Sequence, residues 1–132
     1  MNDERALLVV DAANVVGSVP DGWWRDRVGA AERLRDGIVG LATDGLPDHA
    51  PDQPLEVVLV VEGAASRVRS VPGVRVVAAP GSGDDAIVAL VAEEGRARHC
   101  LVVTADRELR RRVRELGADV TGPRTVYPPR ST

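Results

Sequence analysis

The chain has no lysine and no phenylalanine, a single cysteine, and aromatic residues at only 2% of its 132 positions. A lone cysteine, Cys100, excludes a disulfide framework and a thiolate metal site; standing before an apolar run, it reads as a small buried side chain. With so few aromatics, the core must be built from Val, Leu, Ala and Ile, which suits a parallel α/β sheet. All 17 basic residues are arginine. The base composition of a GC-rich genome accounts for that bias, and a choice of Arg for forked contacts to phosphate is confined to local clusters. The net charge of −3 argues against a protein that coats nucleic acid, though not against one that cuts it. No apolar stretch has the length of a signal peptide or a membrane span, so a reducing cytoplasm is the expected location.

What is present is one domain's worth of chain with 44% hydrophobic residues, long enough for a single core. The expected domain runs over residues 1–122, followed by a loosely held tail at 123–132. The run Leu-Leu-Val-Val at 7–10 reads as a strand buried on both faces, and it stops at Asp11. Asn14 follows three residues later and is one of two asparagines in the chain. A loop at 17–22 leads to a helix expected over 23–42, with Trp24, Val28, Ala31, Leu34, Ile38 and Leu41 at three- and four-residue spacing. Residues 43–54 hold three prolines and read as a surface loop.

A second strand at 55–61 ends on Glu62 and Gly63, with a helical turn over 64–70. A third at 74–79 closes on Pro80-Gly81-Ser82-Gly83. A helix from Asp84 to about 98 turns Ile87, Leu90 and Val91 inward. A fourth strand, 100–104, has Asp106 two residues beyond it, then a helix over 107–116 with a Leu109, Val113, Leu116 stripe and Gly117 as its stop. Residues 119–121 offer a short fifth strand. Strands alternating with helices give a three-layer α/β sandwich around a mainly parallel sheet of four to five strands, with right-handed crossovers.

In such sheets ligands bind in the crevice outside the carboxyl ends of the strands. The acids expected there are Asp11, Glu62, Asp84, Asp85 and Asp106. Two unit charges about 4 Å apart repel by roughly 4 kcal/mol at an effective dielectric near 20, which a marginally stable domain does not carry idly. A divalent cation removes that cost, and carboxylates without His or Cys partners favour Mg²⁺ or Mn²⁺. Such an ion acidifies water and neutralises charge on a phosphoryl oxygen, so metal-assisted phosphodiester hydrolysis is the implied chemistry. Each acid also has a plainer reading: Asp11 as a turn opener, Glu62 as a loop residue, Asp84 and Asp85 as helix-start residues beside Ser82, Asp106 as a helix cap.

Three motifs, Val-Val-Asp-Ala-Ala-Asn-Val-Val-Gly at 9–17, Gly-Asp-Asp-Ala-Ile at 83–87 and Val-Val-Thr-Ala-Asp-Arg-Glu at 102–108, resemble the NYN family of PIN-like ribonucleases. The resemblance runs from Leu7 to about Gly122. It implies a Rossmann-like sheet and an acidic cluster that binds Mg²⁺ or Mn²⁺ to cut RNA. By this resemblance Asp11, Asp85 and Asp106 are the metal-site acids, Asn14 orients substrate or a ligand, and Asp84 assists. Glu62 stands where close relatives often carry Asp, and the Trp23-Trp24 pair is not a general feature of the family. One of these tryptophans is expected in the core, with the other, Trp23, available to stack a base. Candidate substrate contacts are Asn14, Thr104, Arg25, Arg27 and Arg107. The arginines at 110, 111, 112 and 114 form either a solvated helix face or a phosphate track.

The expected function is a metal-dependent ribonuclease with RNA as partner, and a homodimer or a regulatory protein partner is compatible with it. A nucleotide phosphohydrolase using the same site is the first rival, favoured by activity on a nucleoside triphosphate but not RNA. A non-catalytic RNA-binding or partner module is the second, favoured if Mg²⁺ or Mn²⁺ fails to raise the melting temperature.

Overall fold

Successive side chains of a strand point to opposite faces, and the run at 7–10 is apolar on both. In the computed structural model, which describes residues 5–19, 22–46, 49–51, 53–95 and 98–126, that run lies within β1 (Ala6–Asp11), the central strand of a five-stranded sheet. A small antiparallel pair, β2 (Gly45–Leu46) and β3 (Ala50–Pro51), sits apart in the 43–54 connection. On one side of β1 come β4 (Leu55–Val61) and then β5 (Val74–Ala78). On the other come β6 (Cys100–Val103) and β7 (Asp119–Thr121). All four pairings in this sheet are parallel.

The alternation along the strands sorts two cores. Leu8, Val10, Val57, Leu59 and Val61 pack beneath α1 (Ala12–Gly17) and α2 (Arg27–Gly37) through Val15, Val16, Ala30, Ala31 and Leu34. A short α3 (Leu41–Asp44) follows on that side of the chain. Leu7, Val9, Val58, Val60 and Val102 face α4 (Gly83–Glu94) and α5 (Arg107–Glu115) through Ile87, Leu90, Val91, Leu109 and Val113. The result is the three-layer sandwich expected from the strand and helix pattern. Among the described residues no helix is long and apolar enough to cross a membrane.

Several boundaries differ from expectation, each for a local reason. The single helix expected over 23–42 is three pieces: a 3₁₀ turn (Trp23–Arg25), α2 and α3. Asp26 leaves helical conformation, with φ −150° and ψ 79°, and its carboxylate caps α2 by accepting from Gly29 N at 2.9 Å. A side chain at Gly29 would collide with that carboxylate. Outside α2, Trp24 is 53% exposed rather than part of the buried stripe. A helix absent from the sequence reading, α1, follows β1 without a loop. At the other end of the domain, Leu116 is the C-cap of α5 and is 44% exposed. The chain also stays packed past 122: a 3₁₀ turn (Pro123–Thr125) leads to Val126 in the first core. Of the expected tail, 127–132 lies outside the described residues.

This topology fixes one special place on the sheet. From β1 the chain crosses toward β4, whereas from β6 it crosses toward β7, so the segments leaving these adjacent strands diverge. The crevice they open at the carboxyl ends of β1 and β6 is the switch point at which open parallel sheets bind ligands.

Candidate active site

Asp11 ends β1 inside that crevice and is 5% exposed. Its Oδ1 accepts from Asn14 N at 3.4 Å, which makes it the N-cap of α1. Its Oδ2 accepts from the hydroxyl of the fully buried Thr104 at 2.9 Å. The Thr104 oxygen in turn accepts from Asp106 N at 3.1 Å, and Asn14 Oδ1 accepts from Ala105 N at 2.8 Å. These bonds stitch the β1 exit to the β6 exit. Asp106 also caps α5, accepting from Leu109 N at 2.8 Å.

Glu62, just past β4, reaches across to α4, where its Oε2 accepts from Gly83 N at 2.7 Å. Ser82 is the N-cap of that helix, accepting from Asp85 N at 3.2 Å. Asp84 follows in the first turn. Together Asp11, Asn14, Glu62, Ser82, Asp84 and Asp106 line one open pocket of about 370 Å³. Four carboxylates from four segments thus share a rim.

Burial, and after it the neighbouring charges, shift two of them, Asp11 and Asp84. Burial pushes the Asp11 carboxyl up to about 6, against the lowering effect of the Thr104 and Asn14 hydrogen bonds, with the charges of Asp84 and Glu62 adding to the rise. Asp84 is raised as well, first by burial and then by Asp106 and Glu62, with Arg112 opposing. Oxygen donors under mutual repulsion are the donor set that a hard divalent cation satisfies. Among the described residues, no group of three histidine, cysteine or acidic side chains is set to hold a metal ion directly. A cation there would be held by one or two of these carboxylates and otherwise through water and substrate phosphate, the usual habit of Mg²⁺.

Not every expected residue comes to this pocket. Asp85 points away: its side chain is 75% exposed and pairs with Arg112 at 3.0 Å. Helix geometry separates adjacent residues by about 100°, so only one of the two acids can face the sheet edge. Asp84 shares its face with Ile87 and Val91, whereas Asp85 shares its own with exposed Ala89 and Glu93. The three- and four-residue spacing to that buried stripe was the sequence signal that picks out Asp84.

The arginines divide similarly. Arg107 is exposed on the first turn of α5 and lines neither this pocket nor its neighbour, and Arg25 lies over the Trp24 ring, 5.9 Å from its centroid, also outside both. Arg27 sits 5.4 Å from the Trp23 ring centroid and lines the adjoining cavity with it. Three of the four arginines weighed as a phosphate track on α5 have acceptors within the chain, and the fourth, Arg114, is exposed. Arg110 Nε donates to Thr104 O at 2.7 Å, Arg111 is tied to Glu108 and Glu115, and Arg112 to Asp85. Cys100 is buried, and that burial pushes its thiol up to about 11, so it is no nucleophile.

No protein-family model and no curated protein sequence matches the chain. Among solved structures the fold is similar to that of Rae1 (YacP) from Bacillus subtilis, in its W164L mutant, with a TM-score of 0.65 and 19% sequence identity. The match covers 90% of this chain and 70% of that one. At such an identity the likeness is one of fold.

Proposed function

We propose that the chain is a divalent-metal-dependent ribonuclease that hydrolyses RNA phosphodiester bonds at the carboxyl edge of β1 and β6. The observation that carries this reading is the set of four carboxylates, Asp11, Glu62, Asp84 and Asp106, on one pocket at the switch point of a parallel sheet. The NYN-like motifs noted in the sequence support it, as does a fold shared with Rae1.

One or two of Asp11, Asp84 and Asp106 would hold the cation directly and the rest would reach it through water, with Glu62 beside them. When bound, the ion supplies a more acidic water and charge neutralisation at the phosphoryl oxygens. The protein's own groups do the positioning. Thr104 fixes the rotamer of Asp11 from a fully buried hydroxyl. Asn14, its Oδ1 committed to Ala105 N, has its Nδ2 left to donate to a phosphate oxygen in the pocket it lines.

The test is Mn²⁺-dependent cleavage of structured and unstructured RNA by wild type, Asp11→Asn and Asp84→Asn. Cleavage is expected from the wild type, none from Asp11→Asn, and about 10–100-fold less from Asp84→Asn. Equal cleavage by all three removes the acids from the mechanism, and a failure of Mg²⁺ and Mn²⁺ both to support cleavage and to raise the melting temperature favours a non-catalytic module.

A further inference from the structure

The acidic pocket adjoins a larger cleft of about 470 Å³ whose lining the acids do not explain. Small apolar side chains, among them Ala12 and Ala31, line it together with the indole of Trp23 and the guanidinium of Arg27, and Glu62 and Ser82 border both cavities. The size is that of a small-molecule site. Its Trp23 and Arg27 offer a π face and a planar cation in contact with one another, 5.4 Å from ring centroid to guanidinium carbon. Such groups favour a flat, polarisable ring over an aliphatic ligand.

From this juxtaposition we propose that the cleft is a nucleobase subsite, which receives one unstacked base of single-stranded RNA while the phosphate attached to it lies over the acidic pocket. A base held in a duplex is stacked and paired, so it reaches such a cleft only after leaving the helix. The cleft therefore selects unpaired segments. This rests on the acidic pocket being the phosphodiester-cutting site, and it adds the substrate class.

Trp23 is its own reporter. In Asp11→Asn/Trp24→Phe protein with Mg²⁺, which does not cleave on that reading, Trp23 is the sole indole, because the chain has two tryptophans and Trp24 lines neither cavity. A short single-stranded oligoribonucleotide is expected to quench its fluorescence, and the same sequence in a duplex, or made abasic, is not. Two further variants leave the core untouched. Gly81→Leu places a side chain in the cleft where a Cβ meets nothing within 4 Å, and Arg27→Gln changes an exposed residue; each should weaken binding by about 10-fold, the scale of one lost base stack. Quenching by duplex or abasic RNA equal to that by the single strand, or undiminished binding by Gly81→Leu, overturns the subsite. A mononucleotide binding as tightly as the oligomer overturns its assignment to RNA and gives the cleft to a free nucleotide. Absence of cleavage by the wild type with this binding intact overturns the nuclease reading and leaves the subsite standing.

Discussion

The hydroxyl of Thr104 donates to Oδ2 of Asp11 at 2.9 Å across 93 positions of sequence, and neither residue is more than 5% exposed. That bond stabilises the ionised carboxylate against burial, and the same hydroxyl oxygen receives Asp106 N. Thr104→Val should raise the Asp11 pKa above about 6, read by carboxyl NMR titration. The partly buried N–H of Asp106 loses its acceptor too, so urea unfolding should show a loss of about 1 kcal/mol. Thr104→Ser should restore both.

Removing the charge of Asp11 should stabilise the fold in a pH-dependent way. Its folded pKa of about 6 lies above the ordinary value of 3.8, so between these the native state holds a proton that the unfolded chain has lost. Wild-type stability attributable to this group therefore falls as pH rises through about 4 to 6 and is flat above. Relative to wild type, Asp11→Asn should gain about 2 kcal/mol in going from pH 4 to pH 8 without divalent ions, the unfolded carboxyl being already partly ionised at pH 4. Urea melts at the two pH values measure it. A constant difference would show that Asp11 ionises normally.

Asp84 and Asp85 are neighbours in sequence with opposite expected phenotypes. Asp84→Asn should cut Mn²⁺-dependent cleavage by about 10–100-fold, the scale found when a group tuning a metal site is lost. Asp85→Asn removes an exposed pair with Arg112, worth about 0–1 kcal/mol, and should leave turnover near that of wild type. Initial rates at saturating Mn²⁺ decide between them.

Asp26 and Gly29 set the start of α2. Gly29→Ala drives a methyl into the capping carboxylate, so the bond from Gly29 N must break or α2 must shift. Thermal or urea unfolding should report a loss of about 0.5–2 kcal/mol, the range of a lost N-cap.

How far these features were legible from sequence differs by physical cause. The strands were, because β1, β4 and β6 are buried on both faces and so appear as unbroken apolar runs. Helix α1 was not, since Ala-Ala-Asn-Val-Val carries β-branched residues and its start depends on Asp11 acting as a cap at the very end of a strand. The break before α2 escaped because a periodic apolar pattern continues through Asp26 while the backbone does not. Of the acids, Asp11, Glu62 and Asp106 were placed at the site by strand ends alone. Choosing between Asp84 and Asp85 needed the rotation of α4, which periodicity held but motif resemblance overrode. The cleft beside Trp23 joins residues from α1, the 3₁₀ turn before α2, α2 itself and the segments after β4 and before α4, and no local pattern announces such a meeting.

Three of the four pocket carboxylates also begin a helix: Asp11 caps α1, Asp106 caps α5, and Glu62 holds the first N–H of α4. Their retention in a lineage is thus accounted for by folding alone and says little about turnover. Asp84 accepts no hydrogen bond among the described residues, and its part in folding is only that of a charge in the first turn of α4. In a survey of related sequences, position 84 is the one whose loss would mark a copy that has kept the scaffold and given up the proposed reaction.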